Sequence, residues 1–316
     1  MTVTNLQHIG LTVPDIATGV SFYGDAGLDT FERDGMGAVR CVGRDQDQIR
    51  LIQGDRKKLH HVCFGATEEG LAEIKLRLEA DGCTLMDAPS ESPDDGLWVK
   101  DPDGIYVNIK VADAAPSRGG PDAVAGQDGW PTNTPGHFDR PGPRAAPVFR
   151  DEVEINPRRL GHVLQFTTDV EKKIDFYTRL LGMRVSDRIG PGVAFMHLAG
   201  GSDHHVIALA KSDAPGLHHA SFEMANVDQL NLNALRMIDK GHSSNWGFGR
   251  HVVGSNFFHY LRDPWNGLIE FFSDIDYIPA DYDWEVRDWP EERAFSLWGP
   301  AVPDDFIENF EAPSHN

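Results

Sequence analysis

The chain has 316 residues, 40% of them hydrophobic and 25% charged, a composition typical of a soluble globular protein with room for two domains. Asp and Glu number 49 against 29 Lys and Arg, so the formal net charge is -20. A surface of this sign repels phosphate backbones and anionic lipid, which disfavours nucleic-acid and membrane partners.

The N-terminal segment and the cysteines together predict a cytoplasmic location. Residues 1–15 lack the basic start and the long apolar core of a secretory signal, and no later apolar run approaches membrane-spanning length. The spacing of Cys41, Cys63 and Cys83 resembles neither a zinc pair nor a disulfide framework, so we expect reduced thiols.

The chain repeats itself, and each half opens with a strand followed by a helix. Residues 6–13 alternate as a strand and lead into an amphipathic helix. Residues 160–166 and the helix after them repeat this pattern, with His162 in the place of His8. The first strand of each half therefore carries a histidine at the same point.

A second strand and helix follow in each half. Residues 58–64 precede a helical pattern in the first half, and residues 216–222 precede one in the second. The two segments align so that His219 takes the position of His61. The repeat thus supplies each half with a second strand histidine.

Each half closes on an Asp-Pro turn between two apolar runs, which predicts a β-hairpin. In the second half, Tyr260 lies on the first strand and Glu270 on the second, with His251 upstream. A carboxylate among large apolar residues is costly to bury unless a metal or another cation pairs with it. Asn108 takes the place of Glu270 in the first half.

Internal duplication accounts for this pattern and predicts an α+β protein of two tandem domains, each with two modules of strands and a helix. We assign residues 1–112 to the N-terminal domain and 159–274 to the catalytic domain, with a Pro/Gly-rich connector at 113–158. Residues 275–316 repeat nothing upstream but are rich in aromatic residues. We expect this C-terminal extension to pack on the second half or in a subunit interface.

Three residues of the second half stand at equivalent points of its repeat: His162, His219 and Glu270. Two imidazoles and one carboxylate form the facial triad of non-haem Fe(II) oxygenases. Its three open positions suit two oxygens of a chelating substrate and one dioxygen. A single strand histidine is more often a core residue than a ligand, so the inference depends on the three matching positions.

The first half lacks this combination, because Asn108 replaces the carboxylate. A neutral amide weakens the binding of a divalent metal, so we expect no metal in the first half. Adjacent histidines on a strand should also point to opposite faces, so that at most one of each pair serves a site.

Three further polar groups accumulate in the second half: His205, His251 and Tyr260. Each one alone is more often structural, but together they favour a catalytic site. An imidazole near its ordinary pKa both accepts and donates protons at neutral pH. Three aromatic residues of the second half are candidates to line a substrate pocket or to belong to the core: Phe195, Trp246 and Phe258.

Over essentially its whole length the sequence resembles the type I extradiol ring-cleavage dioxygenases of the vicinal oxygen chelate superfamily. The resemblance is most specific in GLHHASF, in GRHVVGSNFFHYLRDP and in the spacing from His251 through Tyr260 to Glu270. It implies paired βαβββ modules in each half, with the second half active. The connector is longer than is usual in the family.

The resemblance also implies roles for the residues singled out above. The ligands of Fe(II), or of Mn(II) as in some members, would be His162, His219 and Glu270. His205 would be the acid/base, and His251 and Tyr260 would contact the substrate hydroxyl groups.

The implied function is Fe(II)-dependent extradiol cleavage of a substituted catechol by O2, with both oxygen atoms inserted, in the degradation of aromatic compounds. We find no glycine-rich dinucleotide loop and expect no nicotinamide or flavin. The alternatives are a glyoxalase-type isomerase or epimerase on the same scaffold, and a ligand-sequestering protein of the bleomycin-resistance type. We expect a cytoplasmic homo-oligomer whose partners are the catechol and O2.

Overall fold

The computed structural model describes residues 2–113 and 155–313, so most of the connector predicted at 113–158 lies outside the described residues. Within these ranges, a seven-stranded and a nine-stranded mixed β-sheet form the two halves, with few helices. The predicted α+β class and the tandem arrangement are confirmed.

The first half follows the chain order β1 (Asn5–Val13), α1 (Ile16–Asp25), β2 (Asp29–Arg33), β3 (Met36–Arg40), β4 (Ile49–Gln53), β5 (Lys58–Ala66), α2 (Glu68–Ala80), β6 (Leu97–Lys100) and β7 (Tyr106–Val111). Its sheet order is β2-β3-β4-β1-β5-β7-β6. The antiparallel pair of β1 and β5 joins the two modules at the centre of the sheet.

The second half follows the order β8 (Arg159–Thr167), α3 (Val170–Asp175), a π-helical turn (Phe176–Leu180), β9 (Met183–Ile189), β10 (Val193–Leu198), β11 (Ser202–Asp203), β12 (Ile207–Lys211), β13 (Gly216–Glu223), α4 (Val227–Asp239), β14 (Ser244–Arg250), β15 (Phe257–Arg262), β16 (Leu268–Ser273), β17 (Tyr277–Ile278), β18 (Arg287–Trp289) and α5 (Glu291–Ala294). Its main sheet, β14-β15-β16-β13-β8-β12-β10-β9-β18, matches the first sheet strand for strand and adds β14 and β18 at its edges.

An aspartate caps the first helix of each half. Asp15 accepts a hydrogen bond from the Ala17 amide, and Asp169 accepts one from the Lys172 amide. Each cap satisfies an amide that the first helical turn would leave unbonded. Phe22 and Tyr23 of α1 are buried against the first sheet.

One continuous apolar core extends through both halves. Phe64 of β5 packs edge to face on Tyr177 after α3, with ring centroids 6.1 Å apart. Leu160 of β8 donates its amide hydrogen to the side chain of Gln48 at 2.9 Å. The two halves therefore share a buried interface.

The Asp-Pro turn of each half contacts the first helix of the other half. Lys173 of α3 is fully buried and pairs with Asp101 at 2.8 Å and Asp103 at 3.3 Å, both from the first turn. At the equivalent place, Trp265 of the second turn packs on Gly19 of α1, where a Cβ would lie 3.0 Å from the indole ring. The first turn thus contacts α3 through an ion pair, whereas the second turn contacts α1 through a ring packed on a glycine.

The C-terminal extension packs on the second half. β18 pairs with β9 and β17 pairs with β11. Phe306 packs edge to face on Trp246 and Tyr260, with ring centroids 4.7 and 5.0 Å apart. Among the described residues, no helix has the length and apolar character needed to cross a bilayer.

Candidate active site

Three neighbouring strands of the second sheet carry the predicted ligands. Ser221 of β13 lies opposite His162 of β8 and opposite Glu270 of β16. His219 precedes Ser221 by two positions, so strand alternation places both side chains on the same face. The parallel register of β13 and β16 therefore brings residues far apart in sequence to one point.

The three side chains converge on a buried centre. The Nε2 atom of His162 lies 2.9 Å from Oε2 of Glu270, and Nε2 of His219 lies 3.4 Å from the same oxygen. One ligand atom from each residue lies within 4.8 Å of the other two. Among the described residues, the buried Nε2 of His219 has no hydrogen-bond partner. Two imidazole nitrogens and a carboxylate oxygen so placed fit a divalent cation.

The charge on Glu270 is stabilised although its side chain is fully buried. Burial acts to raise the pKa of Glu270, but the charge and the hydrogen bond of His162 hold that pKa well below its ordinary value. Burial lowers the pKa of His219 well below its usual range. An ionised carboxylate beside a neutral imidazole is the protonation state that a metal requires.

Two polar side chains that the sequence analysis missed hold the carboxylate in place. Ser221 donates from Oγ to Oε2 of Glu270 at 2.6 Å, and Asn256 donates from Nδ2 to Oε1 at 3.3 Å. The position of Ser221, two residues after His219 in GLHHASF, was the available signal. Nothing in the local pattern marks Asn256.

The three predicted proton-handling groups, His205, His251 and Tyr260, line one cavity with the metal centre. Nδ1 of His251 donates to the carbonyl oxygen of Phe295 at 2.6 Å. Its Nε2 therefore accepts from the hydroxyl group of Tyr260, 3.0 Å away. Burial and the charge of Glu270 raise the pKa of Tyr260 well above its usual value, so the phenol keeps its proton.

His205 lies on the other side of the metal centre. Its ring packs on that of His162, with centroids 4.3 Å apart, and on Phe195 at 5.1 Å. Burial lowers the pKa of His205 well below its ordinary value. The imidazole is therefore neutral at pH 7 and able to accept a proton.

The cavity has a volume of about 200 Å³ and a mainly apolar wall, which includes Ile189, Val193, Phe195, Val253, Phe295 and Phe306. Phe195 lines it as one of the candidates considered from the sequence. Trp246 and Phe258 instead pack on His251, with ring centroids 5.3 and 4.0 Å from the imidazole. The C-terminal extension supplies Phe295 and Phe306, a contribution that the sequence analysis missed.

The expectation that adjacent histidines point to opposite faces is wrong. His218 and His219 both line the cavity, and their Nδ1 atoms lie 2.7 Å apart. A register shift between Leu217 and His219 interrupts the alternation of β13. The other two adjacent pairs show the same contact, at 2.8 and 3.1 Å.

The first half holds a different cluster at the equivalent place. His8, Cys63 and Asp94 bring their ligand atoms within 4.8 Å of one another. Asp94 comes from a loop and pairs with two cations, Arg50 and Lys110. The carboxylate of this cluster is therefore neutralised by the protein itself.

Asn108, the counterpart of Glu270, does not join that cluster as a charged ligand. Its amide donates to the carbonyl oxygens of Asp95 and Leu97 at 3.1 and 3.2 Å. Its Oδ1 accepts from the thiol of Cys63 at 3.0 Å. The two halves thus differ most at the position where one carries an amide and the other a carboxylate.

The duplicated modules, with their sheets joined at the central strand pair, define a protein of the vicinal oxygen chelate class. Residues 159–271 match the family model described as the Glyoxalase/Bleomycin resistance protein/Dioxygenase superfamily. The chain is 38% identical over 316 residues to metapyrocatechase 2 of Cupriavidus necator, covering 98% of this chain and 93% of that protein. The chain belongs to the extradiol dioxygenase family.

Further comparisons agree with this assignment. The manganese-dependent 2,3-dihydroxybiphenyl 1,2-dioxygenase of Geobacillus genomosp. 3 is 25% identical, with 95% of each chain covered. The fold is similar to that of a Mn(II)-bound glyoxalase from Novosphingobium aromaticivorans, with a TM-score of 0.76, 23% identity and coverage of 98% and 95%. It is also similar to 2,2',3-trihydroxybiphenyl 1,2-dioxygenase from Sphingomonas wittichii strain RW1, with a TM-score of 0.73, 21% identity and coverage of 96% and 100%.

Proposed function

We propose that the chain cleaves the ring of a substituted catechol beside its two hydroxyl groups, using O2 and a divalent cation. The cation is held by His162, His219 and Glu270. The observation that carries the proposal is the buried Nε2 of His219, which has no hydrogen-bond partner in the described chain and lies 3.4 Å from Glu270. A buried polar atom left unbonded is costly unless a ligand completes it.

We propose Fe(II) as the cation, with Mn(II) as the alternative. Imidazole and carboxylate ligands bind both metals, so the donor set alone does not choose between them. When bound, the cation supplies the charge that stabilises a catechol oxyanion and leaves coordination positions for the two reactants. The metal is tested by loading the metal-free protein with each ion and comparing O2 uptake.

The side chains of the site then have distinct tasks. His205 accepts a proton from a catechol hydroxyl group and returns it later in the reaction, because its neutral imidazole lies against His162. Tyr260 keeps its proton and, once the substrate is bound, turns its hydroxyl hydrogen from His251 to the oxygen that gains charge. His251, held through Nδ1 by the Phe295 carbonyl, orients the Tyr260 hydroxyl group.

The apolar wall of the cavity binds the ring and its substituent. Phe195, Phe295 and Phe306 present aromatic faces and edges beside the polar centre. They also exclude water from the place where charge develops, which strengthens the electrostatic contacts there. The geometry therefore supports an aromatic diol as the substrate.

The test is anaerobic reconstitution with Fe(II), followed by catechols and O2, with O2 uptake and the coloured ring-fission product recorded. Glu270→Ala should abolish turnover and most iron binding. Asn108→Ala, the same change at the equivalent position of the first half, should leave iron binding intact. His205→Phe should keep iron and lose about 100- to 10,000-fold in rate.

Wild-type turnover in both Glu270→Ala and His205→Phe would refute the assigned roles. Conversion of a substrate without O2 uptake would instead support an isomerase or epimerase on this scaffold. Absence of tight metal binding by the wild-type chain would support a ligand-sequestering protein.

We also propose that residues 159–274 form the catalytic domain and that residues 1–112 bind no metal. The pairing of Asp94 with Arg50 and Lys110 supports this, because those cations already neutralise the carboxylate. One metal ion per chain is the expected stoichiometry, measured by elemental analysis. Two ions per chain would contradict the assignment.

We further propose a cytoplasmic homo-oligomer. Three side chains of the C-terminal extension support assembly, since Tyr277, Leu297 and Ile307 are each more than 60% exposed. Light scattering on the purified chain tests the assembly, and fractionation of the source cells tests the location.

A further inference from the structure

A chain of hydrogen bonds leads from His205 away from the cavity to a buried carboxylate. Nδ1 of His205 lies 3.1 Å from Nδ1 of His204. Nε2 of His204 lies 3.0 Å from Oδ2 of Asp187. His204 is fully buried and Asp187 is 3% exposed, so this chain is shielded from water.

We propose that Asp187 and His204 are positioning residues that fix which ring nitrogen of His205 carries its hydrogen. The inference rests on the function proposed above, because it assigns His205 the transfer of a proton. Neither Asp187 nor His204 contacts Glu270, and neither lines the cavity.

The direction of the hydrogen bonds follows from the carboxylate at the end of the chain. An ionised Asp187 only accepts, so Nε2 of His204 must donate to it. With a single hydrogen on His204, its Nδ1 carries a lone pair and accepts from Nδ1 of His205. Nε2 of His205 is then the nitrogen without a hydrogen and acts as the base.

The C-terminal extension holds the far end of this chain. The backbone amide of Arg287 in β18 donates to Oδ1 of Asp187 at 2.8 Å. The Trp284 ring packs edge to face on His204, with centroids 5.4 Å apart. These contacts fix the carboxylate and the imidazole, so that Oδ2 remains directed at His204.

The test is nitrogen NMR on the full-length chain with labelled histidine, recorded metal-free and with Zn(II), and with His205 assigned from the spectrum of His205→Gln. We expect the hydrogen on Nδ1 of His205 in the wild-type protein. In Asp187→Asn the side-chain amide can donate to Nε2 of His204, which reverses the direction of both hydrogen bonds. We therefore expect the hydrogen on Nε2 of His205 in this variant. His204→Phe removes the acceptor, so the Nδ1 preference should be lost.

The rate should follow the position of the hydrogen. In both variants we expect kcat to fall about 100-fold, within the range that general base catalysis contributes, with metal affinity and KM within about twofold of wild type. His259→Gln is the matched control, since His259 is also buried in this sheet but bonds to Ser244 at 3.0 Å and to none of the three residues of the hydrogen-bond chain. It should change neither the spectrum of His205 nor kcat.

Three NMR results would each overturn the proposal. They are a hydrogen on Nε2 of His205 in the wild-type protein, two hydrogens on His204, and an unchanged Nδ1 signal of His205 in both variants. The NMR result decides it even if no catechol is turned over. A failure of the proposed function therefore appears in the O2 assay and leaves the position of the hydrogen as a separate result.

Discussion

Replacing Ser221 by alanine should weaken metal binding while leaving the fold intact. The Ser221 hydroxyl donates to Oε2 of Glu270 at 2.6 Å, the oxygen that also faces both ligand histidines. A hydrogen bond to a charged group contributes about 1.5–3 kcal/mol. Since 1.4 kcal/mol corresponds to a tenfold change, the dissociation constant should rise about 10- to 100-fold, the range typical of a group that orients a metal ligand.

The assay is anaerobic competition for Fe(II) between the protein and a coloured chelator, with circular dichroism to check the fold. Cys63→Ala is the matched control, because Cys63 occupies the position of Ser221 in the first half and contacts Asn108 instead. It should leave the iron dissociation constant unchanged. An unchanged constant in Ser221→Ala, or equal losses in the two variants, would refute the reasoning.

Three further outcomes follow from the structure. Lys173→Met should lower the free energy of unfolding by about 3–5 kcal/mol, because it leaves Asp101 buried without its cation; a loss below about 1 kcal/mol in urea denaturation would contradict this. Burial lowers the pKa of His259 to about 4, below the 6.5 of an unfolded chain, so protons bind preferentially to the unfolded state. The free energy of unfolding should therefore fall by about 3 kcal/mol for this group as the pH drops from about 6.5 to 4. His259→Gln should reduce that decline, measured as the urea midpoint at each pH. Fe(II) at 100 times its dissociation constant should raise the free energy of unfolding by about 2.7 kcal/mol. Glu270→Ala should abolish this gain, and a gain that persists in the variant would show that the metal binds elsewhere.

The repeat and the period of two along strands were sufficient to predict which residues converge. His162, His219 and Glu270 lie on three adjacent strands because each half repeats the same strand order. The hairpin that places Tyr260 directly opposite Glu270 was also readable from its Asp-Pro turn. These features depend on local periodicity, which a single sequence contains.

Other parts of the site depend on contacts that local periodicity does not encode. A bulge in β13 brings His218 into the cavity beside His219, against the expected alternation. The carbonyl of Phe295 reaches His251 from 44 positions away in sequence. Such a contact depends on the return path of the extension, and no repeat in the chain marks that path.

The two contacts between an Asp-Pro turn and a helix differ in chemistry, one being an ion pair and the other a ring on a glycine, and this difference determines which halves can associate. In a pair of first halves, the Asp103 carboxylate would lie against Gly19, which offers no cation to pair with it. Two copies of the second would press the Trp265 indole against Lys173 and strand a buried ammonium group. Only the mixed arrangement satisfies both contacts, so each half is complementary to the other and not to a second copy of itself.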